Sequence, residues 1–161
     1  MDFDEVAREQ LLKLLRGGNA HMSFDQAIAH FPLDKINLKP PNLLYTPWQL
    51  LEHIRIAQWD ILEFIRDPDH VSPSWPEGYW PEKHAESGET GWNDTIRSFR
   101  EDLQALQDIV VDPDVDLYAP IPHAKDYTIF REILVVSDHN AYHIGEFAIL
   151  RQVMGTWPED R

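Results

Sequence analysis

Apolar residues recur at spacings of three and four along most of the chain, and glycine and proline punctuate the stripes. From Phe3 to about Arg16, Val6, Leu11, Leu14 and Leu15 fall roughly on one helical face. Gly17-Gly18-Asn19 interrupts that face. Ser23-Phe24-Asp25-Gln26 then has the form of a helix restart capped by Ser23, carrying Phe24, Ala27, Ile28 and Phe31 up to Pro32. We read it as a short separate helix rather than the tail of one broken helix. Pro40 and Pro41 enforce an extended connection before Thr46-Pro47-Trp48-Gln49, where Thr46 can cap and Pro47 takes a first-turn position whose missing N–H costs nothing.

The helix starting there is expected to reach about Arg66, with Leu50, His53, Ile54, Ala57, Ile61 and Phe64 on its inner stripe. Residues 67–91 hold Pro68, Pro73, Pro76 and Pro81 with Trp75, Tyr79 and Trp80. So long a connection is either stapled to the bundle by its aromatics or a lid over a pocket. A further helix is expected from about Trp92 to Ile109, facing inward through Ile96, Phe99, Leu103 and Leu106. After a second proline-containing connection, 110–127, the last helix runs from near Thr128 to Met154, stopped by Gly155 and Pro158. Phe130, Ile133, Leu134, Val136, Ile144, Phe147, Leu150 and Val153 make it apolar nearly all round, as expected of a central helix or one that also meets a second subunit. No alternation typical of strands is visible. The pattern predicts an all-α bundle of four main helices in a single domain over residues 1–161.

Composition narrows the function. Apolar residues at 43% and charged residues at 26% are ordinary globular usage, while a net charge of −14 repels nucleic-acid phosphates and anionic lipid. Neither nucleic acid nor membrane is an expected partner. With no cysteine, disulfides, zinc fingers, iron–sulfur clusters and a cysteine nucleophile are excluded, so any metal must be held by His, Asp or Glu. The acidic start Met1-Asp2-Phe3-Asp4-Glu5 is unlike a signal peptide, and Ile133–Val136 is the barest apolar run, far short of the ~20 residues that cross a bilayer. A soluble, cytoplasmic protein is expected.

Candidate chemistry lies in the histidines. His139 and His143, four apart on one helix, stand ~40° apart around its axis and ~6 Å along it, close enough to share a divalent metal. His53 lies on the inner stripe of another helix and can reach the same point. Three neutral imidazoles and water suit zinc, nickel or iron(II). Glu146, near His139 on the helical wheel, is a fourth ligand or, more in keeping with its spacing, an acceptor that fixes an imidazole tautomer. Glu132 is ~10 Å from His139 and either lines the cavity or meets solvent. His21, His30, His70, His84 and His123 fall in loops or at helix ends and read mostly as solvated, with His123 close enough to the last helix to reach the cavity. The motif H-E-x-x-H is absent, as are a phosphate-cradling glycine loop and a serine in a nucleophile elbow.

Trp48-Gln49-Leu50-Leu51-Glu52-His53-Ile54, followed some 85 residues later by Asp138-His139-Asn140-Ala141-Tyr142-His143-Ile144-Gly145-Glu146, resembles the DinB/YfiT-like superfamily of bacterial proteins. The resemblance covers nearly the whole chain. It implies a four-helix bundle of up-up-down-down topology with long crossover loops, which the two proline-rich connections suit. It further implies a triad His53, His139 and His143 holding one divalent ion, often nickel or zinc, and a homodimer. Characterised relatives include S-transferases and an isomerase that use a low-molecular-weight thiol. The expected function is a metal-dependent enzyme activating a thiol or water for transfer to a small electrophilic substrate. The alternatives are a non-catalytic bundle that binds a partner or small ligand, and a metal-dependent hydrolase without thiol.

Overall fold

The computed structural model describes residues 2–159; Met1, Asp160 and Arg161 of the expected 1–161 domain lie outside the described residues. The described chain is mainly helical: α1 (Phe3–Arg16), α2 (Phe24–Ile28), α3 (Pro47–Arg66), α4 (Glu89–Val111) and α5 (Ile129–Met154). The start signals read from the sequence act as predicted. Ser23 accepts from the Gln26 amide while the Gln26 side chain accepts from the Ser23 amide, and Thr46 and Gln49 form the same reciprocal pair with Pro47 at the helix start. Gly155, at φ +59°, ends α5 in the left-handed conformation that glycine adopts without steric cost. Helix α4 begins three residues earlier than predicted, at Glu89, behind Gly88, which supplies no side-chain cap.

A two-stranded antiparallel hairpin, β1 (Pro120–Ile121) and β2 (Ala124–Thr128), corrects the expectation of no strand. Its second strand has no buried-exposed alternation, so no period of two exists in the sequence to detect.

Helices α1 and α3 each pack on both α4 and α5. Cross-helix contacts fix the directions. Arg8 Nη1 donates to the Val110 carbonyl and Arg16 Nε to Gln107 Oε1, so α1 runs against α4. Trp48 Nε1 donates to Thr95 Oγ1 and Gln58 Nε2 to the Phe99 carbonyl, so α3 and α4 run side by side in the same direction. His53 meets His143 while Gln58 meets Asn140, so α5 runs against α3. In chain order the bundle is up-down-down-up, which corrects the expected up-up-down-down. Apolar periodicity reports which face is buried and carries no information on helix direction.

The core divides in two. Phe24, Phe31, Leu50, Ile54, Trp92, Phe99, Ile144, Phe147 and Leu150 form one apolar cluster, and Leu11, Leu62, Leu106, Leu117, Ile133 and Val136 belong to the other. On α3 the stripe drifts from the predicted one: Leu51, Leu62 and Ile65 are buried, while Ile61 and Phe64 lie at the margin. Leu14, read on the inner face of α1, is 48% exposed, and on the all-round apolar α5 Leu134 and Val153 are 39% and 59% exposed.

Between the two clusters lies a polar layer. Asn140 Nδ2 donates to Gln58 Oε1 at 2.9 Å, and the fully buried Gln58 donates through Nε2 to the Phe99 carbonyl at 2.7 Å. These bonds tie α5, α3 and α4 at one level and set their register. Gln58→Ala strips partners from both groups in a buried site, so urea unfolding should show a loss of about 2–3 kcal/mol. The same change at exposed Gln104 should stay within about 0.5 kcal/mol.

Candidate metal centre

Helix α3 supplies His53, and α5 supplies His139 and His143 one turn apart. His53 Nε2 stands 3.1 Å from His143 Nε2 and 3.3 Å from His139 Nε2. One ligand atom from each of the three rings lies within 4.8 Å of the other two. Two nitrogens that share one ion at 2.0–2.1 Å lie about 2.9 Å apart in octahedral and about 3.3 Å apart in tetrahedral geometry. The observed spacings fall in that range.

The other ring nitrogens decide what these atoms carry. His53 Nδ1 lies 2.8 Å from the Tyr79 carbonyl, which only accepts, so Nδ1 bears the proton. His143 Nδ1 donates to Glu146 Oε2 at 2.7 Å. Both neutral rings therefore turn a lone pair, not an N–H, toward each other across 3.1 Å. That contact is repulsive as it stands and attractive around a cation. His139 Nδ1 and Asn140 Oδ1 are buried and make no well-formed hydrogen bond among the described residues.

The site also holds its rings neutral. Burial is the main cause in each case. It lowers the His53 pKa, opposed by the bond to Tyr79. Burial, with repulsion from His53, lowers His139 to about 4, against smaller opposing contributions from Asn140 and Asp138. Burial, with repulsion from His139 and His53, lowers His143 to about 3. Burial also raises Glu146. Unprotonated imidazole is the form that ligates.

Neighbours complete the site. Tyr45 donates its hydroxyl to Glu146 Oε1. Both Glu146 oxygens are thus engaged by side chains of the site. The Trp80 indole lies flat on His53, with centroids 3.9 Å apart and planes within 2°, and stacks on Tyr45 at 5.1 Å. Tyr142 meets His143 edge-on. The connection 67–88 therefore serves partly as the staple and partly as the cover that the sequence left open: Tyr79 holds one ring, Trp80 shields it, and Trp75 is 77% exposed. Behind Tyr45 and Trp80 opens a cavity of about 560 Å³ lined also by Leu44, Gln49, Glu77, Pro81, Glu82 and Lys83.

A family model described as the DinB superfamily matches residues 18–147. The chain belongs to the DinB superfamily. No curated protein and no solved structure matches it. In this DinB chain the three histidines of the sequence resemblance meet at one point, and the remaining candidates do not join them. His123 is exposed and its Nε2 donates to the Phe64 carbonyl. Glu132 is only 4% exposed and pairs with Arg131, which rules out the solvent-facing one of its two readings. His70, read as solvated, is half-buried, with its side chain against Asp60 and Nε2 2.7 Å from Oδ1. Tyr45, Trp80 and the Tyr79 carbonyl escaped the sequence reading as site groups. Only the aromatic density of 67–91 pointed to two of them.

Because the unfolded rings titrate near 6.5 and the folded ones lower, the unfolded chain binds more protons between those values. Stability of the metal-free protein should therefore be full above about pH 6.5 and fall progressively toward pH 4. Denaturation midpoints across that range check it; His139→Ala and His143→Ala should each flatten the slope.

Proposed function

We propose that this chain is a single-domain metalloenzyme of the cytoplasm, in which His53, His139 and His143 hold one divalent ion, nickel or zinc. The reaction we infer is transfer of a thiol or water to a small electrophilic substrate. The observation that supports it best is the convergence of three Nε2 atoms, in which the His53 and His143 tautomers turn lone pairs toward each other and His139 Nε2 stands 3.3 Å from His53 Nε2. A bound dication supplies Lewis acidity, lowering the pKa of a thiol or water so that a nucleophile exists at neutral pH.

The chain's own groups do the rest. Glu146 accepts the His143 Nδ1 proton and, with Tyr45 donating to its other oxygen, keeps that ring aimed. Trp80 excludes water from one face of His53. The cavity behind Tyr45 and Trp80 receives the apolar body of the substrate. No helix among the described residues is long and apolar enough to cross a membrane, in keeping with this reading.

We assign the partner subunit to the outer face of α5. Val135, Tyr142 and Ile149 recur every seven residues and are 37%, 70% and 62% exposed, and Val153 extends them. They leave an apolar stripe on the outer face of α5 that a second copy can cover. Sedimentation should give a homodimer, and Ile149→Glu should give a folded monomer.

Mass-spectrometric metal content with thermal-shift screening tests the main proposal. Wild type should carry one equivalent of nickel or zinc. His139→Ala should lose at least about 100-fold in affinity, while the exposed His30→Ala loses none. Glutathione, bacillithiol or mycothiol should raise the melting temperature of the metal-loaded protein only. A wild type that takes up neither ion overturns the proposal. Metal uptake without a thiol response favours the hydrolase, and ligand binding that survives in the triple-alanine variant favours the non-catalytic bundle.

A further inference from the structure

Asp60 lies two turns along α3 from His53, is only 7% exposed, and takes no part in the histidine group. Its two carboxylate oxygens are both committed to the crossover connection 67–88. Oδ1 accepts from His70 Nε2 at 2.7 Å and Oδ2 from the Tyr79 hydroxyl at 2.6 Å. Tyr79 is the residue whose carbonyl takes the His53 Nδ1 proton, and the next residue, Trp80, covers the His53 ring. Asp60 thus grips the same peptide segment that dictates how His53 presents itself.

We propose that Asp60 is a positioning residue for His53: by latching Tyr79 it fixes the His53 tautomer and ring plane, and so aims Nε2 at His139 and His143. A buried carboxylate held by two donors is an expensive group to place in a protein interior. Here its two bonds pin the connection at two points, His70 and Tyr79, and the second stands directly before Trp80, the residue that covers His53. His70 is itself braced edge-on against Trp59. Without the latch, the Tyr79 carbonyl is free to leave Nδ1. The His53 proton then distributes between its two nitrogens, and each ring with a proton on Nε2 is lost as a ligand. The metal consequence rests on the triad reading above, whereas the tautomer consequence does not.

The test uses both. Nitrogen-15 NMR of the histidines in the metal-free protein should show His53 as the Nδ1–H tautomer in wild type and as a mixture in Asp60→Ala. Cobalt(II), bound in competition with a chelator, should bind Asp60→Ala about 10- to 100-fold more weakly than wild type, with altered visible bands. Asp60→Asn, which keeps an acceptor for Tyr79, should restore most of both signals. Tyr79→Phe removes one donor without burying a new group and should move both readouts in the same direction, which keeps the test decisive if Asp60→Ala folds poorly. A wild-type tautomer and cobalt affinity in Asp60→Ala and Tyr79→Phe overturn the proposal. A tautomer shift in a protein whose wild type takes no cobalt upholds the latch and overturns the triad reading instead.

Discussion

Two neighbouring helices that run in the same direction cannot be joined by a short turn. Helices α3 and α4 are such a pair, and the chain leaving Arg66 must travel back along the bundle before α4 can start at Glu89. A helix of 20 residues spans ~30 Å, so the connection has to be long, and it has to pass along α3 on the way. That return path takes it over His53. The aromatic and polar residues of the crossover are therefore placed against the candidate metal centre by topology: Tyr79 takes the His53 proton and Trp80 covers the ring. A bundle of simple up-down hairpins would leave this face of α3 bare.

The polar layer between the two apolar clusters serves the same end. Asn140 follows His139 directly, and Gln58 lies little more than one turn beyond His53. Their hydrogen bond fixes the axial register of α3 against α5 at the level where the three imidazoles must meet. An apolar layer of similar volume packs as well but tolerates sliding. A slide of one residue shifts a helix by 1.5 Å, roughly half the separation between these nitrogens.

Much of this was legible in the sequence. Caps at Ser23 and Thr46 and breaks at Gly17, Pro32 and Gly155 carry local chemistry that does not depend on the rest of the fold. The pair His139 and His143 follows from helical spacing alone, and the inward placement of His53 from the stripe around it. What stayed hidden is non-local. Helix direction leaves no mark on periodicity, so the up-down-down-up order had no signal. The hairpin at Pro120–Thr128 has a second strand with no alternation. Asp60, His70 and Glu132 look like surface residues by type and become covered only because Tyr79, Trp59 and Arg131 arrive from elsewhere or lie beside them. Tyr45 and Trp80 belong to loops, where aromatic residues carry no period to betray their direction.

The electrostatics of the site stand apart from those of the chain. The molecule carries a net charge of −14, yet the group formed by His53, His139 and His143 is neutral, with Glu146 hydrogen-bonded to His143 and Asp138 acting on His139 as nearby carboxylates. Three neutral donors leave most of a dication's charge uncompensated, and an anion such as thiolate or hydroxide gains more from that charge than from one already neutralised by two or three carboxylates. The acidic exterior works in the complementary sense, drawing cations toward the protein and keeping free anions dilute near it. On the proposed metalloenzyme reading, a nucleophile would therefore be better made at the site from a neutral thiol or water than captured already ionised from solution. That is the chemistry which a buried, proton-poor cluster of imidazoles is suited to support.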